Sequence, residues 1–381
     1  MYRWVKPMVA RDPREEGRSA TTLELLFDLC FVVAIALAAA ELHHGIAEAH
    51  FAQAVMGFTM VFFAIWWAWM GHTWFASAYD TDDAPYRLKV LVQMLGVLVL
   101  AAGVPRGVRE QDFGIITLGF VIMRVGLIAG WLRAARADSL RRKASLRFAG
   151  GLIVCQIGWV TLYLLGLPPE RYFFGWLLLL AAELAAPYWA SRVADMPWHA
   201  HHIAERYGLL TIIVIGESVL AATMTVQKVV DAGAVGLELG AVIAGAPLIM
   251  FSMWWLYFLL PPPDLLASFD KAFVWGYGHL GIFMSAAAVG GMLALEADHA
   301  SGATALDDVT AGLALAIPVA GYLISVLIFQ ITPHRPPSAL WLAFVVAAIA
   351  VLALSWATLP TLWIGLVMVG LTAFAVASRH K

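Results

Sequence analysis

Long runs of apolar residues, separated by short polar loops, make up most of this sequence. A helix needs about 20 predominantly apolar residues to cross the hydrocarbon core of a bilayer, and twelve stretches reach or approach that length. They run near residues 23–42, 54–75, 88–104, 113–132, 148–166, 172–190, 204–226, 236–259, 273–295, 308–330, 339–358 and 360–378. The pattern predicts an all-α, polytopic integral membrane protein, a helical bundle of about 12 transmembrane helices.

Proline-containing stretches mark several of the loops between these spans, because proline cannot continue a helix. Such stretches occur at residues 167–170, 261–263 and 334–337. The last two spans are separated only by Leu359 and Pro360, which predicts either a tight turn or one broken helix.

Composition supports the membrane assignment. The chain is 62% hydrophobic and 13% charged, with a mean hydropathy of +0.81, whereas soluble domains are about 45–50% apolar and about 25% charged. Cys30 and Cys155 both lie in apolar stretches, so no disulfide framework is expected. The first 20 residues lack the pattern of a cleavable signal peptide. The lipid bilayer is the expected partner; no nucleic acid and no cofactor are expected, and the oligomeric state is left open.

The distribution of positive charge predicts the orientation, because Lys and Arg concentrate in cytoplasmic loops. Of the 24 Lys and Arg residues, 19 fall in the terminal segments and in alternate loops on the same side. Four fall on the opposite side, and Arg124 lies inside the fourth span. This split predicts an even number of spans with the N and C termini both in the cytoplasm.

Two parts of the sequence resemble each other. The motifs AIWWAWMG (64–71) and FSMWWLYF (251–258) each precede an acidic loop, and Asp28 and Glu217 keep nearly the same offset. The similarity favours two six-helix parallel repeats, although tryptophan pairs also recur by chance at membrane interfaces. The predicted boundaries are 1–20 for a cytoplasmic N-terminal segment, 21–190 for the first half and 191–381 for the second.

Ionisable residues occur within the predicted spans and near their cytoplasmic ends. A charge at the centre of a transmembrane helix costs at least about 2.5–3.5 kcal/mol on insertion scales, so such residues usually face a protein interior or a water-filled cavity. The residues are Glu24, Asp28, His72, Arg87, Glu205, Arg206, Glu217 and His279. They predict a cytoplasm-facing polar cavity for an ion, a proton or a small solute. The alternative is a set of interhelical salt bridges that fixes packing, to which Arg124 and Glu183 would belong if their spans are neighbours.

Spacing along the helices suggests roles for these residues. Glu24 and Asp28 share a helix face, so one is protonated or a cation lies between them, and Thr21 or Thr22 can cap their helix. Arg206 and Glu217 are about 16 Å apart along one helix, so each needs another partner. Glu217 and Asp28 would bind the proton or cation, Arg206 and Arg87 would balance charge, and His279 or His72 would relay a proton.

The densest group of carboxylates follows the second span. It consists of Asp80, Asp82 and Asp83, which we call the acidic loop. Such a group beside a membrane can hold Mg²⁺ and a substrate diphosphate, but this chemistry needs a second dense acid motif, and Asp264 with Asp270 is a sparse one. A solvated loop with a helix cap is the simpler interpretation. Histidine-rich stretches at 43–50 and 199–205 lack an established zinc-ligand spacing, so no metal site is predicted.

Five stretches carry recognisable motifs. They are LELLFDLCFVVAIA (23–36), WWAWMGHTWFASAYDTDDAPYRL (66–88), HHIAERYGLLTIIVIGES (201–218), WWLYF (254–258) and YGHLGIF (277–283). Together they resemble the bacterial low temperature requirement protein A (LtrA) family, although Leu26 replaces a usual phenylalanine and the last three spans carry no matching motif. The resemblance implies a multi-pass protein of the bacterial inner membrane, linked by name to growth in the cold. The signature polar residues that it implies are Glu24, Asp28, Asp80, Asp82, Asp83, Arg87, Glu205, Arg206, Glu217 and His279.

These observations favour a transporter or an ion- or proton-permeable protein, with no catalytic residue assigned. One alternative is a membrane sensor or assembly factor in cold adaptation, whose intramembrane charges are structural. The other is a Mg²⁺-dependent enzyme that modifies a membrane lipid or isoprenoid at the acidic loop. The substrate does not follow from the sequence.

Overall fold

Twelve α-helices form most of the described chain. The structure is a computed structural model that describes residues 4–231, 233, 236–261, 266 and 268–378, except for the side chains of residues 225, 226, 228, 229 and 269. The helices are α1 (Thr22–Ala47), α2 (Phe51–Tyr79), α3 (Ala84–Arg109), α4 (Gly114–Ala137), α5 (Arg142–Leu164), α6 (Pro169–Ser191), α7 (Ala200–Asp231), α8 (Leu237–Tyr257), α9 (Phe269–Ala300), α10 (Asp308–Val326), α11 (Ser338–Ala353) and α12 (Pro360–Ala377). All twelve correspond to segments long and apolar enough to cross a membrane, and the described residues contain no strand. The predicted all-α bundle of 12 spans is confirmed.

The last two spans are separate helices joined by a tight turn. After α11, a short 3₁₀ turn covers Leu354–Trp356, and α12 begins at Pro360. Leu359 between them has a φ of 58°, in the left-handed region. Proline then occupies the first position of α12, where its missing N–H is not needed. Of the predicted loops, Pro262, Pro263 and Asp264 lie outside the described residues.

The helices divide into two compact units that interleave along the sequence. The first unit comprises the described residues up to 34 and residues 63–206, and the second comprises residues 35–62 and the described residues from 207 onwards. Helices α3 to α6 therefore belong to the first unit and α8 to α12 to the second, whereas α1, α2 and α7 contribute to both. Within the first unit, α4 packs against α3 and α5, and α5 also packs against α6. Within the second, α8 packs against α9 and α12, and α10 packs against α9 and α11. The division into sequence repeats at residue 190 stays a prediction.

Glycines bring α3 and α4 into close contact within the first unit. A Cβ atom on Gly96 would lie 2.7 Å from the carbonyl oxygen of Gly119, and one on Gly119 would lie 2.6 Å from the backbone nitrogen of Leu100. Larger residues would force the helices apart, so glycine is required at both positions, as at other close helix contacts in membranes.

A non-helical segment before α1 is part of the first unit. We call residues 4–21 the N-terminal strap. Its Arg18 donates to the carbonyl oxygens of Ser77 at 2.5 Å and Ala76 at 3.0 Å, in the last turn of α2. Carbonyl groups there have no partner within the helix, and a cation at a helix C-terminus is favourable. The strap is therefore held against the end of α2.

Candidate functional site

Glu24 is positioned by the N-terminus of α1. The Thr21 N–H donates to Glu24 Oε2 at 2.8 Å, and the Glu24 N–H donates to Thr21 Oγ1 at 3.3 Å. This reciprocal pair is a capping box, so the prediction of Thr21 as a cap is confirmed. Glu24 is buried, and Asp28, one turn later on the same face, is fully buried.

Arg206 of α7 lies between these two carboxylates. Its Nε and Nη2 donate to the two oxygens of Asp28, at 3.1 and 2.5 Å, and its Nη1 donates to Glu24 Oε1 at 2.9 Å. The planar guanidinium presents its donors as a rigid fork that suits this arrangement. Of the two alternatives that the sequence left open, a protonated carboxyl or a cation between Glu24 and Asp28, the structure shows the cation: it is the side chain of Arg206, which is itself fully buried.

Two further side chains complete the carboxylate cluster, our name for Glu24, Asp28, Trp69, His202 and Arg206. Trp69 Nε1 donates to Asp28 Oδ1 at 2.7 Å. His202 Nε2 lies 3.2 Å from Glu24 Oε1 and 3.3 Å from Oε2, whereas its Nδ1 has no hydrogen-bond partner among the described residues. Every carboxylate oxygen of the cluster therefore has at least one protein partner.

A second buried ion pair of the first unit offers a comparison. Arg124 of α4 pairs with Glu183 of α6, as predicted if their spans are neighbours. Glu183 also accepts hydrogen bonds from Trp67 at 2.9 Å and Trp159 at 2.8 Å. Here one carboxylate faces one guanidinium, so the formal charges cancel.

The carboxylate cluster, in contrast, has an unbalanced formal charge. Two ionised carboxylates and one guanidinium leave one negative charge, which protonation of His202 or of a carboxylate would neutralise. A net charge inside a membrane is costly. One bound proton would therefore balance the charge of the cluster, whereas the pair of Arg124 and Glu183 is balanced without one.

The cluster lies near one end of the membrane span. Helix α1 has 26 residues and is about 39 Å long, compared with a hydrocarbon core of about 30 Å. Asp28 lies six residues after Thr22, about 9 Å along the axis. If α1 is centred in the bilayer, Asp28 lies about 5 Å inside the hydrocarbon and Glu24 at its edge. At this depth the buried cluster would lie close to one surface of the membrane.

Each carboxylate of the acidic loop has a protein partner. Asp83 is the N-cap of α3 and accepts hydrogen bonds from the Tyr86 N–H at 3.0 Å and from Arg133 at 2.9 Å. Asp80 accepts one from the Asp82 N–H at 3.0 Å. Burial and the nearby charge of Glu24 raise the pKa of Asp80. The predicted helix cap is confirmed, whereas the predicted solvation of the loop is wrong for Asp80 and Asp83, which are buried. No three His, Cys, Asp or Glu residues of the described chain converge as metal ligands do.

Arg87 and Glu205 make their contacts elsewhere. Arg87 pairs with Asp82 at 2.7 Å, and both side chains are about half exposed, so the structure does not place Arg87 among the buried charges. Glu205 accepts a hydrogen bond from the Ala20 N–H at 3.1 Å. It thereby joins the strap to α7.

Glu217 and His279 belong to the second unit. His279 is fully buried, with Nδ1 2.7 Å from the Trp275 carbonyl oxygen and Nε2 3.0 Å from the Tyr257 hydroxyl. Glu217 is half-buried, and among the described residues no charged side chain pairs with it. A single cavity lined by all eight predicted residues stays a prediction.

Two residues of the cluster, Trp69 and His202, and its neighbour Lys89 are absent from the predicted set, although the sequence carries a signal for each. His202 lies four residues before Arg206 and therefore shares its helix face. Trp69 lies three residues before His72 on α2. Lys89 is a cation inside an apolar span, which is a functional signal by itself.

Comparison with known proteins agrees with the motifs. The family description "Bacterial low temperature requirement A protein (LtrA)" matches residues 19–377. An uncharacterized protein of Rhizobium meliloti (strain 1021) is 26% identical over 257 residues, which cover 65% of this chain and 60% of that relative's own length. No solved structure matches the chain. With twelve apolar helices in the part of the chain that the structure describes, the molecule is a multi-pass bacterial membrane protein. Because the match covers nearly the whole sequence, the chain belongs to the bacterial low temperature requirement A protein family.

Proposed function

We propose that this protein transports protons across the bacterial inner membrane, alone or with a small solute, and that the carboxylate cluster is its proton-exchanging site. The observation that carries the proposal is the composition of the cluster, in which two buried carboxylates share one guanidinium. His202, in contact with Glu24, offers a place for the proton that balances the charge. Release of this proton leaves the cluster with a net negative charge, which favours the uptake of another proton.

The geometry supports a proton better than a metal ion. Because each carboxylate oxygen already accepts a hydrogen bond, a metal ion would have to displace Arg206, Trp69 or another donor. A proton needs no such displacement, since it adds to a single nitrogen or oxygen. Arg18 is a further cation near the cluster, since it interacts electrostatically with Glu24. We leave it out of the cluster because its guanidinium donates to carbonyl oxygens of α2 and not to the carboxylate.

Reconstitution of the full chain into liposomes tests this function. We impose a K⁺ diffusion potential and follow internal pH with an enclosed dye. The wild type should move protons, and Asp28→Asn should reduce the flux by about tenfold or more, because the cluster is then neutral without its exchangeable proton. Glu183→Gln is the matched control: it alters a buried carboxylate that pairs with arginine and accepts from tryptophan, and it should keep the flux.

Thermal unfolding of the same variants separates function from packing. Both substitutions should lower Tm, because each leaves a buried arginine with a weaker partner. If the wild type moves no more protons than empty liposomes, or if folded Asp28→Asn keeps its flux, the proposal is wrong. The charges of the cluster would then serve packing alone.

A further inference from the structure

Three buried side chains of α2 and α3 have polar atoms without a protein partner. Neither ring nitrogen of His72, nor the Tyr86 hydroxyl, nor Lys89 Nζ has a hydrogen-bond partner among the described residues. Their exposed fractions are 0%, 2% and 8%. A buried polar group without a partner costs about 1–3 kcal/mol, so three such groups on neighbouring helices are a sign of a polar ligand.

The ammonium group of Lys89 is enclosed by aromatic rings. Its Nζ lies 3.9 Å from the ring centroid of Phe75 and 4.2 Å from that of Tyr86. A Cβ atom on Gly130 of α4 would lie 3.2 Å from this Nζ. The two ring faces stabilise a cation. They do not replace the oxygen or nitrogen acceptors that the N–H groups of Lys89 would otherwise bond.

His72 connects this site to the carboxylate cluster. Its ring lies on that of Phe27, with centroids 4.0 Å apart, and Phe27 directly precedes Asp28. Trp69, which donates to Asp28, lies about one helical turn before His72 on α2. His72 also interacts electrostatically with Glu24 and Arg206.

Tyr86 and Lys89 connect the same site to the acidic loop. Both interact electrostatically with Asp80, which is buried at the end of α2. Asp80 also interacts electrostatically with Glu24, and Tyr86 with Glu24 and Arg206, so the three side chains lie close to both the acidic loop and the cluster. Lys89 lies three residues after Tyr86 and therefore shares its face of α3.

We propose that His72, Tyr86 and Lys89 bind internal water that relays protons between Asp80 and the carboxylate cluster. This inference rests on the proposed function. Water can accept from Lys89 and can both donate to and accept from Tyr86 and His72, and a buried water usually has two to four such polar partners (about three on average). A proton released by Asp80 adds to one ring nitrogen of His72 while the other nitrogen releases its proton towards the cluster. The charge of His72 is unchanged at the end, and only its tautomer differs.

Charged and polar groups face this site from every element around it. They are Arg18 from the strap, Glu24 from α1, Asp80 and Asp83 from the acidic loop, Gln93 from α3, Arg133 from α4 and Arg206 from α7. Gln93 is a polar neighbour that interacts with His72, but it makes no hydrogen bond of good geometry to either ring nitrogen.

The melting temperature of Tyr86→Phe tests for water without any transport assay. In a dry site, removal of an unpaired hydroxyl raises Tm; in a hydrated site, water loses a partner and Tm falls. We expect Tm to fall. Tyr322→Phe is the matched control, because the buried Tyr322 hydroxyl donates to the Met253 carbonyl oxygen at 2.8 Å, so its loss must lower Tm. A rise in Tm for Tyr86→Phe alone would overturn the proposal.

Proton flux then tests the relay. His72→Phe should reduce the flux of the full chain in liposomes by about tenfold or more, while Lys143→Gln, at an exposed lysine, should not. A folded His72→Phe variant with wild-type flux would overturn the relay while the proposed function stands. Absence of flux in the wild type would reject the proposed function, and the melting temperatures would still decide whether the site holds water.

Discussion

Trp67 and Trp69 lie two residues apart on α2, yet their indole nitrogens donate to different carboxylates. Trp67 donates to Glu183 at 2.9 Å and Trp69 to Asp28 at 2.7 Å. A hydrogen bond to a charged acceptor contributes about 1.5–3 kcal/mol. We therefore expect Trp67→Phe and Trp69→Phe to lower Tm by similar amounts in detergent.

Of the two substitutions, only Trp69→Phe should change the pH dependence of proton flux. Without the indole N–H, the ionised form of Asp28 loses a donor, so the pH of half-maximal flux should move upwards. Liposome flux at a series of pH values measures this. An unchanged profile for Trp69→Phe, or an equal change for Trp67→Phe, would contradict a role for Asp28 in proton exchange.

At the scale of elements, Asp83 joins the strap, α3 and α4. Its carboxylate accepts from the backbone N–H groups of Lys6 at 2.8 Å and Tyr86 at 3.0 Å, and Arg133 donates to both of its oxygens at 2.9 and 2.5 Å. We expect Asp83→Asn to lower the free energy of unfolding by about 2 kcal/mol, because charge-assisted bonds become neutral ones. Asp82→Asn, at an exposed ion pair, should change it by about 0–1 kcal/mol. Equal effects of the two substitutions would contradict this role of Asp83.

The same contacts of Asp83 predict how its contribution to stability changes in acid. Although burial opposes ionisation, the hydrogen bonds from Arg133, Lys6 and Tyr86 hold the pKa of Asp83 well below its ordinary value. The stabilisation is therefore complete above the ordinary aspartate pKa, about 3.9, and is lost as pH falls through the lowered value. Between neutral pH and that ordinary value, the difference in Tm between wild type and Asp83→Asn should stay constant, and it should shrink in stronger acid.

At the scale of the whole molecule, sequence patterns predict the elements better than their partners. The number of spans follows from apolar length, because each helix must cross a core of about 30 Å. The cap at Thr21 and the cap at Asp83 follow from local rules, since both act within three residues. Which spans are neighbours depends on packing across the bundle. The sequence therefore predicts the pairing of Arg124 with Glu183 only on the condition that their spans are neighbours.

The candidate site shows the same limit. Depth within an apolar span identifies Glu24, Asp28 and Arg206 as residues that need partners, but spacing alone cannot bring α1 to α7. Arg87 shows the converse, because a charged residue near the end of a span can pair with a neighbour such as Asp82 at the surface. Hydrogen-bond donors such as Trp69 escape an argument that counts only charges.

The orientation of the molecule decides which aqueous phase lies nearer to the carboxylate cluster. The excess of Lys and Arg in the N-terminal segment and alternate loops predicts that the strap and the start of α1 face the cytoplasm.

Single cysteines test this orientation in a chain whose Cys30 and Cys155 are replaced by serine. In intact spheroplasts, a membrane-impermeant maleimide should label Glu110→Cys, after α3, whereas Lys143→Cys, at the start of α5, should react only after lysis; both positions are exposed. The reverse pattern would place the cluster at the outer surface, where it would receive protons from outside the cell first. Labelling of both positions from one side would contradict the single crossing of the membrane by α4.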